Sequence, residues 1–65
     1  MEERIEINPK ILAGKPIISG TRISVELILK LVAQRWTDEQ IINEYPSLSG
    51  EDIKAAIMYK DNHYK

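Results

Sequence analysis

The chain has 65 residues, so it forms at most one domain. Its nine basic and ten acidic side chains lack the basic excess of a strongly nucleic-acid-binding domain. A local basic patch is compatible with the net charge of −1, whereas the absence of cysteine excludes disulfides and thiolate metal sites. Neither a secretory signal nor the roughly 18 apolar residues of a membrane span occurs, so we expect one cytoplasmic domain over residues 1–65 with no membrane partner.

The first predicted element is a β-hairpin over about residues 4–19, in which residues 4–7 pair with residues 16–19. The first strand alternates polar and apolar side chains, which is the period of a half-buried strand. Turn signals at Asn8-Pro9 and at Gly14-Lys15-Pro16 separate the two strands. An isolated hairpin is marginal in water, so this one must pack on the helices or on another chain.

The first predicted helix follows Ser24, a typical N-cap residue, and extends over residues 25–34. Its only polar residues are Glu26, Lys30 and Gln34, which are spaced four apart and form one thin stripe. A helix that is apolar nearly all round is a buried helix. We therefore expect a second copy of the chain to cover part of it, giving a homodimer through this helix and the hairpin. The candidate interface residues are Ile5, Ile7, Ile17, Leu27 and Leu31.

The second predicted helix begins with a capping box made by Thr37 and Gln40. Trp36 and Ile41 occupy the two positions of a hydrophobic staple around this cap. The helix is short and ends near Glu44, because the residue that precedes a proline is pushed out of the helical region.

The third predicted helix covers about residues 50–61, and Ser49 and Asp52 repeat the capping pattern at its start. Aspartate is shorter than glutamine, so we expect the reciprocal half of this second box to be weaker. Helical spacing assigns the inner face of the helix to Ile53, Ala56 and Ile57.

These elements predict a mainly α, small α+β fold, with three helices over about residues 24–61 behind the hairpin. About four residues join the last two helices, which fits a helix-turn-helix unit that binds DNA or, alternatively, a helical hairpin that only builds a core. In a DNA complex the third helix would enter the major groove, with Ser47 and Ser49 near phosphates. Its outward positions would be Glu51, Lys54, Ala55 and Met58. That face lacks the bidentate readers of bases, which weakens the DNA hypothesis.

The sequence contains no complete catalytic or metal-binding pattern. Gly14-Lys15 lacks the other glycine and the hydroxyl residue of a phosphate-binding loop, because Pro16 occupies the hydroxyl position. His63 is the single histidine and has no ligand cluster around it. The paired carboxylates at 38–39 and 51–52 are explained by helix N-termini. With no nucleophile and base in view, we expect no enzyme, no cofactor and no metal.

Lys15 and Arg22 lie close to the two glycines of the segment 13–24, and two interpretations of them stay open. They could form a rigid basic loop that contacts phosphates or an acidic partner, since arginine is suited to bidentate recognition. Alternatively, Arg22 pairs with a carboxylate of its own chain and fastens the hairpin to the first helix.

Two segments carry a resemblance to DUF433, a family of domains of unknown function. One is Asn8-Pro9 followed by the run GKPIISGTRISV at 14–25; the other is TDEQI at 37–41 with EYPSLS at 44–49, Asp52-Ile53 and Ala55-Ala56. The resemblance covers nearly the whole chain, and its GKP and GTR motifs are specific. It implies a homeodomain-like three-helix unit behind short strands, in small bacterial or archaeal proteins. Many such genes lie beside genes for PIN-like nucleases, which implies an antitoxin role.

One departure from the family pattern concerns Arg35, where the family commonly has glycine just after the first helix. Glycine suits the left-handed position that ends many helices. We expect Arg35 either to adopt that conformation at a cost or to end the helix differently, and it could present a basic contact beside Trp36.

The sequence and the resemblance together predict an antitoxin-like protein that neutralises a PIN-like ribonuclease and binds operator DNA through its last two helices. The alternative is a dimeric protein-interaction module with no DNA contact. Only residues 62–65 follow the third helix, which is too short a tail to wrap a partner. Either folded surfaces block the toxin, or the mechanism of longer homologues does not apply. The candidate DNA contacts are Lys15, Arg22, Arg35, Ser47, Ser49 and Lys54.

Overall fold

The computed structural model describes residues 4–63 and shows a two-stranded antiparallel hairpin followed by three helices. This architecture confirms the predicted small, mainly helical α+β fold. The elements in chain order are β1 (Ile5–Ile7), a 3-10 turn (Leu12–Gly14), β2 (Pro16–Ile18), α1 (Val25–Ala33), α2 (Asp38–Glu44) and α3 (Gly50–His63).

The hairpin pairs its strands in the predicted order, with Ile5 opposite Ile18 and Ile7 opposite Pro16. The Ser19 amide extends the pairing by donating to the carbonyl of Arg4 at 2.7 Å. Each strand is one residue shorter than predicted, because β1 begins at Ile5 and β2 ends at Ile18.

Left-handed backbone at two glycines turns the chain at both ends of β2. Gly14 has φ +83° and Gly20 has φ +81°, a region that glycine enters without steric cost. Leu12 and Ala13 also have positive φ, at 49° and 56°, within the 3-10 turn. The sequence did not predict that turn, because left-handed backbone at residues with a Cβ has no local signature.

All three helices begin at the predicted caps. The Ser24 hydroxyl accepts from the amide of Leu27 at 3.0 Å, and Thr37 forms both halves of its capping box with Gln40. At α3 the Ser49 amide donates to Oδ2 of Asp52 at 3.0 Å, and the amide of Asp52 donates to the Ser49 hydroxyl at 3.3 Å. The reciprocal half of this box is therefore fully formed despite the shorter side chain.

One continuous core joins β2 to all three helices. Its buried members are Ile18, Val25, Ile28, Leu31, Ile41, Leu48, Ile53 and Ala56, and Leu27, Leu29, Val32 and Trp36 are among the partly buried residues packed against it. Both the hairpin and α3 pack on α1. A single copy of the chain thus covers more of α1 than its apolar sequence suggests.

The inner face of α3 differs from the predicted one by a small rotation about the helix axis. Ala55, expected to face outward, is buried, whereas Ile57, expected in the core, is 36% exposed. The cause is Asp52, which is only 7% exposed because it caps the helix and pairs with Arg4. Turning Asp52 inward brings residues 55 and 56 with it and moves residue 57 toward solvent.

Across residues 4–63, we find no helix with the length and apolarity needed to cross a membrane.

A charged surface and the cleft at the end of the first helix

The basic residues singled out in the N-terminal half are exposed, and they differ in their partners. Lys15 donates to Oε1 of Glu26 at 3.2 Å, an exposed ion pair between the hairpin and α1. Arg22 is exposed, and within residues 4–63 its side chain makes neither a hydrogen bond nor an ion pair. Among residues 4–63, the ion pair between the hairpin and α1 is made by Lys15, and Arg22 has no carboxylate partner in that range.

The candidate DNA contacts on the last two helices are exposed but poorly equipped for phosphates. Ser47, Ser49 and Lys54 all lie at the surface. The hydroxyl of Ser49, however, already accepts from the amide of Asp52 as the cap of α3. Lys54 is thus the one cation among these three positions. Within residues 4–63 we observe no contact between Lys54 and either Lys15 or Arg22.

The candidate dimer residues lie at very different depths. Ile17 is 0% exposed and Leu31 is 7% exposed, so both are sheltered within one copy and present no surface to a partner. Ile5 and Leu27 are half-buried against the core. Ile7 is the outlier, since 60% of it is exposed. Among residues 4–62, the large apolar side chains that face solvent are Ile7, Leu12, Ile57 and Met58.

Charge is divided sharply between the two halves of the described chain. Residues 4–35 carry six basic and two acidic side chains, for a net +4, whereas residues 36–63 carry two basic and six acidic ones, for a net −4. The overall balance of the sequence hides this division. One of these six acids, Asp52, is buried and paired with Arg4, so five acids of the α2–α3 half face solvent. An acidic excess of this kind disfavours contact with the phosphates of nucleic acid.

Three exposed carboxylates on α2 dominate the acidic half: Asp38, Glu39 and Glu44. The first two lie in the first turn, where they interact favourably with the helix dipole. Glu44 is the last residue of α2, where the same dipole disfavours a negative charge. The helix dipole therefore accounts for the placement of Asp38 and Glu39 and does not account for that of Glu44.

The end of α1 is a complete Schellman motif built around a non-glycine residue. The amide of Trp36 donates to the carbonyl of Leu31 at 3.1 Å, and the amide of Arg35 donates to the carbonyl of Val32 at 2.9 Å. Arg35 occupies the left-handed position with φ +71°. This confirms the first of the two expected outcomes, in which arginine adopts the glycine conformation at a steric cost of about 1–2 kcal/mol.

An open cleft of about 470 Å³ lies between the end of α1 and α2. It is lined by Gln34, Arg35, Trp36, Gln40, Asn43 and Glu44. The sequence singled out Arg35 and Trp36, and it assigned Gln40 only to capping. Gln34, Asn43 and Glu44 were missed as site residues. For Asn43 and Glu44 a signal was available, because they lie at i+3 and i+4 from Gln40 on α2.

Polar side chains line most of this cleft. Within residues 4–63 no group of three or more His, Asp or Glu side chains is placed to hold a metal ion. Every buried side-chain nitrogen or oxygen in the same range has a hydrogen-bond partner. The cleft offers three carboxamides, one guanidinium and one carboxylate, which are groups that bind polar ligands through hydrogen bonds.

Comparison with known sequences finds a family match over most of the chain. The model of a family described as "Protein of unknown function (DUF433)" matches residues 5–59. An uncharacterised protein, y4eO of Sinorhizobium fredii (strain NBRC 101917 / NGR234), is 34% identical over 59 residues, which are 91% of this chain and 27% of that protein. The chain thus spans about a quarter of the curated relative that it matches.

A solved structure is similar over nearly the whole fold. The crystal structure of a DUF433 member from Anabaena variabilis ATCC 29413 superposes with a TM-score of 0.87 and 32% sequence identity. The similarity covers 92% of this chain and 59% of that one.

Proposed function

The chain belongs to the DUF433 family of proteins of unknown function, and from that premise we propose that it is an antitoxin-like protein that inhibits a PIN-like ribonuclease in the cytoplasm. The observation that carries this proposal is the acidic charge of the α2–α3 half, net −4 over residues 36–63. An enzyme that binds RNA needs a basic groove for the phosphates. An acidic, folded surface can occupy such a groove in place of RNA.

The exposed acids of α2 are the residues with which this surface would meet the ribonuclease. Asp38, Glu39 and Glu44 all face solvent. Glu44 supports a role in binding because it is exposed at the C-terminal end of α2, where the helix dipole disfavours a negative charge. No enzymatic activity of the chain itself forms part of the proposal.

The test first asks whether a gene for a PIN-like ribonuclease lies beside the gene for this chain, and then measures inhibition of RNA cleavage by that purified ribonuclease. Wild-type protein should suppress cleavage at a stoichiometric ratio, and inhibition should weaken as salt rises, because complementary charges drive the association. Glu44→Gln should weaken inhibition, whereas Glu26→Gln, an exposed acid of the basic half, should leave it unchanged. Equal effects of the two variants, or no inhibition by the wild type, would contradict the proposal.

Operator binding through α2 and α3 as a helix-turn-helix belongs to the same proposal and has less support. The α2–α3 half has two lysines, Lys54 and Lys60, against six acids. This balance favours the alternative of a dimeric protein-interaction module with no DNA contact. A gel shift with upstream DNA at several salt concentrations separates the two, because true phosphate contacts weaken steeply with salt. If no shift is seen even at low salt, operator binding is excluded and the protein-interaction module is supported.

A further inference from the structure

We propose that two copies of the chain associate by antiparallel pairing of their β1 strands, in a register that places Arg4 of each copy opposite Glu6 of the other. The contact lies on the hairpin rather than on α1, because β2 and α3 already pack on α1 within one copy. This association is independent of the ribonuclease proposal, since it involves only copies of this chain.

The outer edge of β1 is an open edge of the two-stranded sheet. The amide of Ser19 donates to the carbonyl of Arg4 at 2.7 Å, so these two residues form a hydrogen-bonded pair. Hydrogen-bonded and non-hydrogen-bonded pairs alternate along an antiparallel ladder, which makes the next pair, Ile5 with Ile18, a non-hydrogen-bonded one. The amide of Ile18 does point away from β1, since it donates to the carbonyl of Ile23 at 2.9 Å. The peptide groups of Ile5 therefore point outward, away from β2.

Ile7 continues this open edge. It lies opposite Pro16, which has no N–H and cannot exchange two hydrogen bonds with it. Within residues 4–63 no other group bonds to the outward amides and carbonyls of Ile5 and Ile7. The outer edge of β2, in contrast, is occupied by the bridge between Ile17 and Ser24. In the described part of the chain, β1 is therefore the edge at which an added strand can join the sheet.

The charges on β1 select a second copy of the chain as the added strand. Pairing Ile5 with Ile5 of the other copy lets their outward peptide groups exchange two hydrogen bonds. The flanking positions then place Arg4 opposite Glu6 twice, in non-hydrogen-bonded pairs, where side chains lie closest and opposite charges are favourable. A register centred on Glu6 would instead bring two carboxylates face to face. The order basic, apolar, acidic over residues 4–6 is thus self-complementary in an antiparallel pair.

Both charged side chains suit this contact. Glu6 is half-buried, and among residues 4–63 its carboxylate has neither a hydrogen bond nor an ion pair. A carboxylate removed from water is stabilised when a cation is brought beside it. Arg4 holds Oδ1 of Asp52 through Nη1, and its side chain is still 43% exposed. A guanidinium has five N–H donors, so Arg4 can keep Asp52 and also bind Glu6 of the second copy.

The other face of the paired strands is apolar. Ile5 meets Ile5 of the second copy there, and Ile7, which is 60% exposed in one copy, lies diagonally across from it. Such a short strand buries far less area than the roughly 1,600 Å² of a standard interface. We therefore expect a weak dimer, with a Kd on the order of 100 μM.

Sedimentation equilibrium of the full chain up to about 1 mM tests this pairing through two charge-reversal variants. Glu6→Arg places arginine opposite Arg4 at both flanking positions, and Arg4→Glu places glutamate opposite Glu6, so each should raise the Kd about tenfold or more. An equimolar mixture of the two variants restores both attractive pairs. The mixture should therefore associate with a Kd within about threefold of the wild type.

Asp61→Arg is the matched control, because it changes the net charge by as much as Glu6→Arg and Asp61 is exposed. Asp61 lies roughly 13 Å along α3 from Asp52, the residue that contacts Arg4, so the Kd should stay within about twofold of the wild type. Urea unfolding verifies that each variant is folded. Glu6→Arg keeps the pair between Arg4 and Asp52, so its comparison with Asp61→Arg decides the matter if Arg4→Glu does not fold. A wild type that stays monomeric up to about 1 mM, a mixture of folded variants that does not associate, or equal effects of Glu6→Arg and Asp61→Arg would overturn the pairing.

Discussion

Arg4 donates a 3.0 Å hydrogen bond from Nη1 to Oδ1 of Asp52, and this ion pair joins the start of the hairpin to the first turn of α3 across 48 positions of sequence. The other oxygen of Asp52 accepts from the amide of Ser49 in the cap of the helix. One carboxylate therefore fixes the start of α3, its rotation about its axis and the position of β1 relative to it.

Replacing Asp52 should destabilise the fold more than replacing Arg4. Asp52→Ala removes the acceptor of the Ser49 amide and the partner of Arg4 together, and we expect a loss of about 2–3 kcal/mol in the free energy of unfolding. Arg4→Ala should cost about 1 kcal/mol or less, because the side chain of Arg4 is 43% exposed and water screens the pair. Urea denaturation of both variants measures the difference, and equal losses would contradict the double role of Asp52.

Gly20→Ala should destabilise the protein by about 1 kcal/mol, since Gly20 has φ +81° and alanine is strained there. A Cβ at this position would meet nothing within 4 Å, so the cost is one of backbone conformation alone. Gly50→Ala is the matched control, because Gly50 is helical and also has open space around its Cα. Thermal unfolding should show a lower Tm for the first variant and an unchanged or higher Tm for the second.

Arg35→Gly should raise the free energy of unfolding by about 1 kcal/mol, because glycine relieves the left-handed strain at φ +71° while keeping both amide hydrogen bonds of the helix end. For a domain of this size the gain corresponds to a rise in Tm of about 4–8 °C. Arg35→Ala keeps a Cβ and should change the Tm little. A fall in Tm for the glycine variant would show that the guanidinium stabilises the fold in a way that its exposure does not suggest.

Most of the fold could be predicted from interactions between residues close in sequence. The features that were not predicted depend on contacts between residues far apart in sequence. The caps at Ser24 and Thr37 depend on neighbouring residues only, so their hydrogen bonds could be predicted from the order of side chains. The pairing of Arg4 with Asp52 depends on how β1 is placed beside α3, which no local pattern encodes. The exposure of Ile57 follows from that pairing and was missed with it.

The candidate site was predictable only at its most unusual residue. Arg35 departs from a helix-ending pattern that has a physical basis, and the left-handed conformation that it adopts is one of the two outcomes expected for it. Asn43 and Glu44 acquire meaning only because α2 lies beside the end of α1, which places them in one cleft with Trp36. An amide and an acid on a short helix are common on solvated surfaces, so their residue types alone do not mark a site.

The expected homodimer can be tested at the hairpin, because an apolar side chain is exposed there. Ile7 is 60% exposed on β1, so Ile7→Lys should leave the stability of one copy within about 0.5 kcal/mol of wild type. A charge at that position would face the partner in a dimer and prevent it from forming. Sedimentation equilibrium should therefore show a concentration-dependent mass for the wild type and a constant monomer mass for the variant.

Leu31→Ala is the control variant, because Leu31 is 7% exposed and its loss should lower stability by about 2–5 kcal/mol without acting at the contact between copies. A folded wild type that stays monomeric at high micromolar concentration would exclude the homodimer, since the hairpin and α3 would then cover α1 well enough within a single copy.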